Sequence, residues 1–431
     1  MRYIVKGGKP LSGAIEVSGA KNAATKMMVA SLLTEEPVML KNFPAIGDTA
    51  ITRELCELIG SKISLRGSEL TIETPEIKEN NIMALSRKNR IPILVMGPLL
   101  LRSGAAEVPF LGGDKIGGRP VDLHIEALRL LGAEIETTDS GYRASARDGL
   151  RGAVINLKFP SVGATENVLI ASVLARGKTI LKNAALEPEV IDLVKMLQTM
   201  GAKIEIAPER TVHIEGVPRL HAATYAVMPD RNEAVSFACL AMATGGDILV
   251  KRAVREHLTA FSEVIAGQMG AGYEILREGI RFFGNKSIRP VIIETSPHPG
   301  FMTDWQQPLS VVLTQADGTS SIHETIYENR FDYTGDLIAM GARVKIFSDC
   351  GGFPPCRFAN GNFRHRAEIS GPTRLYGGRF FVHDLRSGMA NMIAALSADG
   401  ESEIENAEEI ERGYERLDER LRALGAEIKS V

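Results

Sequence analysis

The sequence has little of what marks secreted, membrane-spanning or nucleic-acid-binding proteins. Its 431 residues include only 4 cysteines, too few for a disulfide framework in so long a chain. The 50 lysines and arginines nearly balance the 53 aspartates and glutamates, so the charge pattern offers no basic surface for nucleic acid or an anionic membrane. The longest apolar run, residues 91–101, contains two prolines and a glycine and is shorter than the ~20 residues of a membrane span. Because residues 1–9 also lack an apolar signal segment, we expect a cytoplasmic protein with neither nucleic acid nor membrane as partner.

Several common catalytic fingerprints are absent as well. The chain has no GxGxxG dinucleotide loop, no GxxxxGK[ST] phosphate loop and no GxSxG nucleophile elbow. Cys350, Cys356 and His365 lie near one another in sequence, but no second pair completes the spacing of a zinc site. We therefore expect no metal site.

A short phrase of the form apolar, glycine, small, any, apolar recurs six times along the chain. Each copy follows an amphipathic helical pattern, as in residues 190–200, and precedes strand alternation, as in residues 203–206. Glycine suits such a helix end because it adopts the left-handed cap conformation. The glycines, which are 69 to 84 residues apart, are Gly60, Gly132, Gly201, Gly270, Gly341 and Gly425. Their spacing predicts six units of strands plus two helices, with the last interval lengthened by an insertion at residues 349–372.

Six such units are too many for one core, so they predict an α/β protein with two domains of three repeats each. We place one domain at residues 21–228 and the other at residues 1–20 together with 229–431. An initial strand, at residues 3–5 or 14–17, precedes the first complete unit and is expected to pair with the far end of the chain. A cleft between two similar domains is a preferred place for a ligand.

Residues 111–118 form a glycine-rich segment that carries one acid, Asp114, and one lysine. Four of its eight residues are glycine, so the backbone can approach a ligand closely. Pro120 then suits the first turn of a helix, and apolar residues follow at helical spacing. The segment fits a mobile lid over an anionic substrate, or an ordinary surface hairpin.

Basic residues stand at the start of several predicted helices. Lys21 precedes a predicted helix over residues 23–33, where its charge opposes the helix dipole unless an anion binds there. It can equally be a solvated surface lysine. Comparable positions are held by Arg90, Arg119, Arg386 and Arg412. Together these cations would suit a substrate with both a carboxylate and a phosphate, since guanidinium binds either group bidentately.

Two further stretches could carry chemistry. Asp304 follows the proline-containing residues 297–303 and precedes a predicted helix, so it is either a helix cap or a general base. Residues 161–165 form a turn of small residues that opens a helix, a conformation suited to a diphosphate or a nucleotide.

The chain as a whole resembles the UDP-N-acetylglucosamine enolpyruvyl (1-carboxyvinyl) transferases, which belong with the shikimate-phosphate enolpyruvyl transferases. The resemblance runs essentially end to end and is carried by motifs at residues 19–22, 90, 97–98, 116–124, 161–165, 187–189, 229–231, 303–304, 328–331, 384–386 and 412–416. It implies two inside-out α/β barrel-like domains, each of three βαβαββ repeats, with the active site in the cleft between them. It also implies the first committed step of peptidoglycan precursor synthesis, in which phosphoenolpyruvate donates its enolpyruvyl group to the 3-hydroxyl of UDP-N-acetylglucosamine. The resemblance implies no cofactor.

The same resemblance implies a set of site residues. The catalytic residues would be Lys21, Asp114, Asp304 and Arg412. Phosphoenolpyruvate would be held by Lys21, Arg119 and Arg412, with support from Arg90 and Arg386. The sugar nucleotide would be bound by Asn22, Pro120, Val121, Asp122, Leu123, Ser161, Val162, Gly163, Asp304, Ile326, Arg330 and Asp384.

The sequence departs from the family pattern at three positions. Most of these enzymes carry a lid cysteine, the residue alkylated by fosfomycin, where this chain has Asp114. The resemblance therefore predicts resistance to fosfomycin. Asp114 would be either the proton donor to the enol C3 or an aid to product release, and lid closure must desolvate it if it is to carry a proton at neutral pH. Phe159 stands where many members of the family have a lysine, and Glu411 stands where an aspartate is common. These two differences weaken the assignment of secondary phosphate contacts and leave the main set of residues unchanged.

Three other functions stay open at this stage. A sister transferase would act on another nucleotide or on shikimate 3-phosphate. A catalytically silent UDP-sugar-binding paralogue is suggested by the missing lid cysteine. Against it stands the retention of Lys21, Arg119, Asp304 and Arg412. An RNA-processing cyclase with related repeats fits poorly with the acidic charge balance. We expect a monomer or a weak homo-oligomer.

Overall fold

A computed structural model of the chain describes residues 1–84, 90–112, 120–284 and 287–431. Most of the predicted lid, including Asp114, lies outside these ranges, as does Arg119. Within them, no helix is both long and apolar enough to cross a membrane.

The described backbone forms two compact units. The unit that we call terminal holds residues 1–18 and 229–431, and the unit that we call central holds the described residues between 19 and 228. The chain passes from one unit to the other after Ser18 and after Met228. From the sequence, these crossings were expected after residues 20 and 228.

The central unit contains three sheets. The strands are β3 (Val38–Lys41), β4 (Lys62–Arg66), β5 (Glu69–Glu73), β6 (Ala105–Pro109), β7 (Glu134–Thr137), β8 (Gly141–Ser145), β9 (Val154–Asn156), β10 (Lys178–Lys182), β11 (Lys203–Ala207), β12 (Thr211–Glu215) and β13 (Ala223–Ala226). The strand orders in the sheets are β13-β3-β5-β4, β6-β8-β7 and β11-β12-β10-β9, and the pairs β13/β3 and β9/β10 are parallel.

The helices of this unit differ in how much of their surface is buried. Helix α6 is amphipathic, begins with Pro188 at its first turn and buries Val190, Leu193 and Leu197. Helix α5 is buried on all sides from Ala164 to Ser172, and α3 is equally apolar from Pro92 to Leu100. The helices are α1 (Lys21–Ser31), α2 (Gly47–Ile59), α3 (Pro92–Ser103), α4 (Asp122–Leu130), α5 (Val162–Ser172) and α6 (Pro188–Thr199).

The terminal unit also contains three sheets. The strands are β1 (Arg2–Lys6), β2 (Ser12–Glu16), β14 (Asp247–Lys251), β15 (Gly272–Leu276), β16 (Gly279–Phe283), β17 (Ile292–Glu294), β18 (Gly318–His323), β19 (Arg343–Phe347), β20 (Arg366–Gly371), β21 (Arg379–Phe381), β22 (Glu401–Glu405) and β23 (Glu427–Ser430). The strand orders in the sheets are β15-β16-β14-β2, β17-β18-β20-β19 and β21-β22-β1-β23. Each sheet has one parallel pair, which is β2/β14, β17/β18 or β21/β22.

Three helices, α7, α9 and α11, pack against one another in the core of the terminal unit and are buried along nearly their whole length. A helix without a solvated face belongs inside a unit, with the sheets around it. The α-helices are α7 (Arg231–Ala243), α8 (Thr259–Ser262), α9 (Gln306–Leu313), α10 (Thr334–Ala339), α11 (Leu385–Ser397), α12 (Glu408–Glu411) and α13 (Leu417–Ala423), joined by 3-10 turns at Arg255–Leu258 and Thr303–Trp305 and a π-helix at Glu263–Met269.

The predicted α/β class and its six repeats are confirmed. Strand β9, helix α5, strand β10, helix α6 and the hairpin β11–β12 follow one another as a complete βαβαββ unit. Each of the six sheets gathers the strands of one such repeat, although some repeats take a strand from elsewhere in the chain. The described strands form open sheets. The barrel-like domains that the resemblance implied are therefore not closed β-barrels in the described part of the chain.

The initial segment of the chain pairs with later segments, as expected. Strand β1 lies between β22 and β23, with Ile4 opposite Glu403 on one side and Lys429 on the other. Strand β2 pairs in parallel with β14. The first 16 residues therefore complete two sheets whose other strands come from residues 247–283 and 379–430.

All six glycines of the recurring phrase have a positive φ, between 71° and 124°. At this position an L side chain would be strained whatever space surrounds it. Gly425 shows the effect in isolation, because a Cβ placed there meets no atom within 4 Å. The predicted role of these glycines as helix stops is confirmed.

We expect Gly425→Ala to lower the free energy of unfolding by about 1 kcal/mol through backbone strain alone. Gly335→Ala is the matched control, because a Cβ at Gly335 also meets open space but lies in helix α10 without a positive φ. It should be neutral or stabilising. Denaturant midpoints of the two variants measure the difference, and equal midpoints would contradict the proposed role of the φ angle.

Candidate functional site

Lys21 is the first residue of α1, and its ammonium group lies beside a carboxylate from the start of another helix. The Nζ atom of Lys21 is 2.8 Å from Oδ2 of Asp48, in the first turn of α2, and both side chains are largely buried. The pair places a charged lysine at the positive end of a helix dipole, where it is stable only with an anion close by. Asn22 follows as the second residue of the same helix. Asp48 was missed in the sequence analysis because nothing in its local sequence links it to Lys21.

A second group in the central unit gathers around His124. This residue lies in the first turn of α4, directly after the predicted site residues Pro120, Val121, Asp122 and Leu123. Its Nδ1 is 3.3 Å from Nδ2 of Asn167, and a Cβ on Gly163 would lie 3.1 Å from its Cε1. His124 therefore joins the start of α4 to the start of α5, where Ser161 caps the helix by accepting from the Ala164 amide at 3.3 Å. Val162 is the first residue of that helix.

Burial lowers the pKa of His124 to about 3, and the positive charge of Arg90 acts in the same direction. Arg90 stands just before α3 and is half-buried. This effect on His124 indicates that Arg90 lies at the same end of the central unit as the starts of α4 and α5. The structure thus assembles three of the stretches predicted for nucleotide and phosphate around one neutral imidazole.

In the terminal unit, Asp304 lies between two arginines. Its Oδ1 is 2.5 Å from Nη2 of Arg330, and its Oδ2 is 3.0 Å from Nε of Arg386. The arginine side chains are 2% and 6% exposed, whereas that of Asp304 is 17% exposed. Burial acts to lower the pKa of Arg330, but Asp304 and Asp384 outweigh it and raise that pKa. The structure therefore brings together three predicted residues that are up to 82 positions apart in sequence.

Asp304 is in the 3-10 turn Thr303–Trp305, immediately before α9. The residue at the cap position of that turn is Met302, so Asp304 uses its carboxylate for the two arginines. Asp304 is therefore not a helix cap, and its role as a general base stays a prediction.

Asp384 and Arg386 are held by the start of α11. The Oδ1 atom of Asp384 accepts from the amides of Arg386 and Ser387 at 2.9 and 3.1 Å, which makes Asp384 the helix cap. The Nη1 atom of Arg386 donates to the hydroxyl of Tyr414 at 3.1 Å, and that hydroxyl also pairs with Ser236 at 2.7 Å. Cap and hydroxyl together orient the guanidinium toward Asp304.

The backbone around Ile326 is held by a buried acid. The Oε1 atom of Glu324 accepts from the Ile326 amide at 2.8 Å, and its Oε2 accepts from the Thr303 hydroxyl at 2.8 Å. The Ile326 carbonyl accepts from the guanidinium of Arg357. Both backbone groups of Ile326 are thus engaged within the protein, and Glu324 ties this segment to the residue beside Asp304.

Arg412 is the C-cap residue of the short helix α12. Its Nη1 is 2.6 Å from Oε2 of Glu409, one helical turn earlier, and 16% of its side chain is exposed. It lies two residues before Tyr414, the hydroxyl partner of Arg386.

Cys350, Cys356 and His365 are potential metal ligands in the sequence, where no metal site was expected. In the described part of the chain a fourth candidate, His323, joins them. One ligand atom from each residue lies within 4.8 Å of all the others. The spacing of the sequence gives no sign of His323, because it belongs to a strand 27 residues before Cys350.

Residues 5–421 of the chain match the family described as EPSP synthase (3-phosphoshikimate 1-carboxyvinyltransferase). A UDP-N-acetylglucosamine 1-carboxyvinyltransferase of Chlamydia abortus is 45% identical over 430 residues, which cover 98% of this chain and 97% of that protein. One from Novosphingobium aromaticivorans is 41% identical, with 100% and 99% covered.

Two solved structures share the fold. The enolpyruvyl transferase NikO from Streptomyces tendae superposes with a TM-score of 0.87 at 24% identity, covering 99% of this chain and 98% of that one. EPSP synthase from Acinetobacter baumannii superposes with a TM-score of 0.72 at 19% identity, with both chains covered completely.

Stability should fall in mild acid because His124 is buried as the neutral imidazole. In the unfolded chain it takes up a proton near pH 6.5, whereas in the folded chain it does so only near its pKa of about 3. Between these values the unfolded state binds more protons, so this contribution to stability is lost as the pH falls, by about 2 kcal/mol at pH 5.

His124→Gln should show a smaller fall in denaturant midpoint between pH 7.5 and pH 5 than the wild type. His213→Gln, at an exposed histidine of β12, is the matched control and should follow the wild type. If all three proteins lose the same stability, His124 is not the group that titrates.

Proposed function

This chain belongs to the EPSP synthase family, as the end-to-end resemblance predicted, and from that premise we propose that it transfers the enolpyruvyl group of phosphoenolpyruvate to UDP-N-acetylglucosamine. Two relatives, 45% and 41% identical over nearly the whole chain, carry that activity in their names, which favours this acceptor over shikimate 3-phosphate. The observation that carries the proposal is the Asp304 carboxylate, partly exposed and fixed by Arg330 and Arg386. The proposed role of the protein is the first committed step of peptidoglycan precursor synthesis.

On the acceptor side, Asp304 is the candidate base for the sugar 3-hydroxyl. Two guanidinium groups hold its oxygens in place, and its remaining exposure leaves room for a hydroxyl to donate to it. Both arginines are buried, and they hold the carboxylate of Asp304, which is partly exposed. The carboxylate is therefore oriented before substrate arrives. Arg330, Asp384 and the backbone near Ile326 would hold the amino sugar around it.

On the donor side, Lys21 and Arg412 are the candidate cations for phosphoenolpyruvate. Each is paired with one carboxylate of its own unit, Asp48 or Glu409, and each keeps part of its side chain exposed. A lysine at the first position of α1 also lies beside backbone amides that suit an anion. Arg90, Arg119 and Arg386 would support these two.

The proposed chemistry is addition followed by elimination. The sugar 3-hydroxyl forms a bond to C2 of the enol while C3 gains a proton, and the hydroxyl proton passes to the base. The C2–O bond to phosphate then breaks and C3 loses a proton, which restores the double bond. Cations around the phosphate stabilise the charge on the leaving group.

The lid is expected to close over the bound substrates and exclude water. Asp114 stands in the sequence where most relatives of this kind have a cysteine, so the lid offers no thiol for an epoxide to alkylate. We therefore also propose that the protein resists fosfomycin. A carboxyl in that position can supply the proton for C3 or assist product release.

Phosphate release from phosphoenolpyruvate tests the proposed activity. We expect turnover only with UDP-N-acetylglucosamine present, and Asp304→Asn should lower kcat on the order of 10³-fold because the base is lost. Asp148→Asn is the matched control, since that carboxylate is 88% exposed on the surface, and it should leave turnover unchanged.

Lys21→Ala should likewise abolish most turnover, whereas Lys158→Ala, at an exposed lysine, should not. Circular dichroism and thermal unfolding confirm that each variant is folded. If the wild type releases phosphate only with another acceptor, it is a sister transferase. If it binds UDP-N-acetylglucosamine but never turns over, it is a silent paralogue.

Incubation with fosfomycin and UDP-N-acetylglucosamine tests the proposed resistance. The wild type should keep its activity, whereas Asp114→Cys should lose activity with time and gain one covalent label per chain, because a thiolate is a strong nucleophile. Asp148→Cys places an exposed thiol outside the lid and should stay active. Rapid, stoichiometric inactivation of the wild type would refute the resistance.

A further inference from the structure

Four side chains with metal-binding atoms meet at the base of the insertion in the terminal unit. His323 ends strand β18, Cys350 and Cys356 belong to the insertion, and His365 immediately precedes strand β20. Strands β18 and β20 are paired, with His323 opposite Arg366. Two histidines from the sheet therefore face two cysteines from the loop, with the four ligand atoms within 4.8 Å of one another.

Two of the separations match those of tetrahedral coordination, and the distance between the sulfurs is too long for a disulfide. The two sulfur atoms are 3.9 Å apart, and Sγ of Cys350 is 3.5 Å from Nε2 of His365. Ligands around tetrahedral zinc, with Zn–S near 2.3 Å and Zn–N near 2.05 Å, stand about 3.8 Å apart for two sulfurs and about 3.6 Å for sulfur and nitrogen. A disulfide would need an S–S distance of about 2.05 Å.

Both imidazoles are oriented as metal ligands are. Nδ1 of His365 lies 2.8 Å from the carbonyl of Phe363, which can only accept, so Nδ1 carries the proton and Nε2 offers its lone pair to the thiols. Nδ1 of His323 is held in the same way by Oε2 of Glu294 at 2.8 Å. Such outer partners fix the tautomer in metal sites.

Nε2 of His323 has no hydrogen-bond partner in the described structure, although its side chain is 0% exposed. A buried nitrogen lone pair without a partner costs free energy, and a metal ion would satisfy it. A thiol hydrogen bond between Cys350 and His365 would account for one contact only and would leave this nitrogen unsatisfied.

The loop that carries the two cysteines also has features that favour metal binding. Each cysteine starts a tight turn, with the carbonyl of Cys350 accepting from Phe353 and that of Cys356 from Ala359, both at 3.0 Å. The amide of Phe358 donates to the sulfur of Cys356 at 3.3 Å, a contact that stabilises a thiolate. The ring of Phe353 lies 4.7 Å from that of His323, so apolar side chains shield the group.

We propose that His323, Cys350, Cys356 and His365 bind one zinc ion with tetrahedral Cys2His2 coordination. Two sulfurs and two nitrogens in this arrangement suit zinc, whereas magnesium takes oxygen ligands. A Rieske iron–sulfur cluster also takes two cysteines and two histidines, but it holds them on two different iron atoms. Here a cysteine sulfur and a histidine nitrogen lie 3.5 Å apart, the separation expected for two ligands of one ion. Four protein ligands leave no open position, so the site is structural and takes no part in the transfer reaction. The ion ties the loop between β19 and β20, which carries both cysteines, to strands β18 and β20.

Metal analysis of the untagged protein tests the site. We expect about one zinc per chain in the wild type and less than about a tenth in Cys350→Ser and in His365→Gln, because losing one of four ligands removes most of the affinity. His213→Gln, an exposed histidine of the central unit, should keep its zinc. A wild type purified without chelator that holds no zinc, and takes up none when zinc is added, overturns the proposal.

A second measurement on the wild type does not depend on whether the variants fold. Cys56 and Cys239 are buried, so they stay unreactive toward a thiol reagent while the protein is folded. We expect Cys350 and Cys356 to be protected until a chelator removes the metal, after which two thiols per chain react. Addition of cobalt should then restore protection with the absorption bands of tetrahedral thiolate coordination. A Cys350–Cys356 disulfide, or thiols that react equally with and without chelator, would contradict the site.

Discussion

The constraint that organises this protein is the burial of whole helices inside each unit. Helices such as α5 and α11 have no solvated face, so a polar or charged side chain can reach a ligand only from a helix end. Three candidate residues obey this rule: Lys21 opens α1, Ser161 caps α5 and Asp304 precedes α9. These three ends are N-termini, where the helix dipole favours anions. They therefore suit the anionic substrates of the proposed reaction.

Several buried charges are paired within their own unit. Lys21 has Asp48, and Arg330 and Arg386 share Asp304. Buried pairs of this type contribute little net stability, but removing one partner leaves an expensive unpaired charge. What they provide here is fixed orientation, which is what stabilisation of a developing charge requires.

The parts of the fold that follow from local sequence were predictable, and the side-chain partnerships that arise from tertiary packing were not. Gly425 and its equivalents mark helix ends because only glycine tolerates their backbone angles, so the repeats were visible without a structure. The partnership of Lys21 with Asp48, or of Arg386 with Tyr414, arises from tertiary packing and has no local signal. His323 escaped notice for the same reason, since a strand and a loop bring it to the cysteines.

The position of strand β1 between β22 and β23 constrains the order in which the protein can be built on the ribosome. All described residues of the central unit lie before residue 229, so this unit can fold while later residues are still being made. In the terminal unit, strand β1 cannot pair on either side until β22 and then the last strand, Glu427–Ser430, have been made. During that interval the exposed edge of β1 is available for wrong pairing, so the terminal unit is where synthesis of this chain is most vulnerable to aggregation.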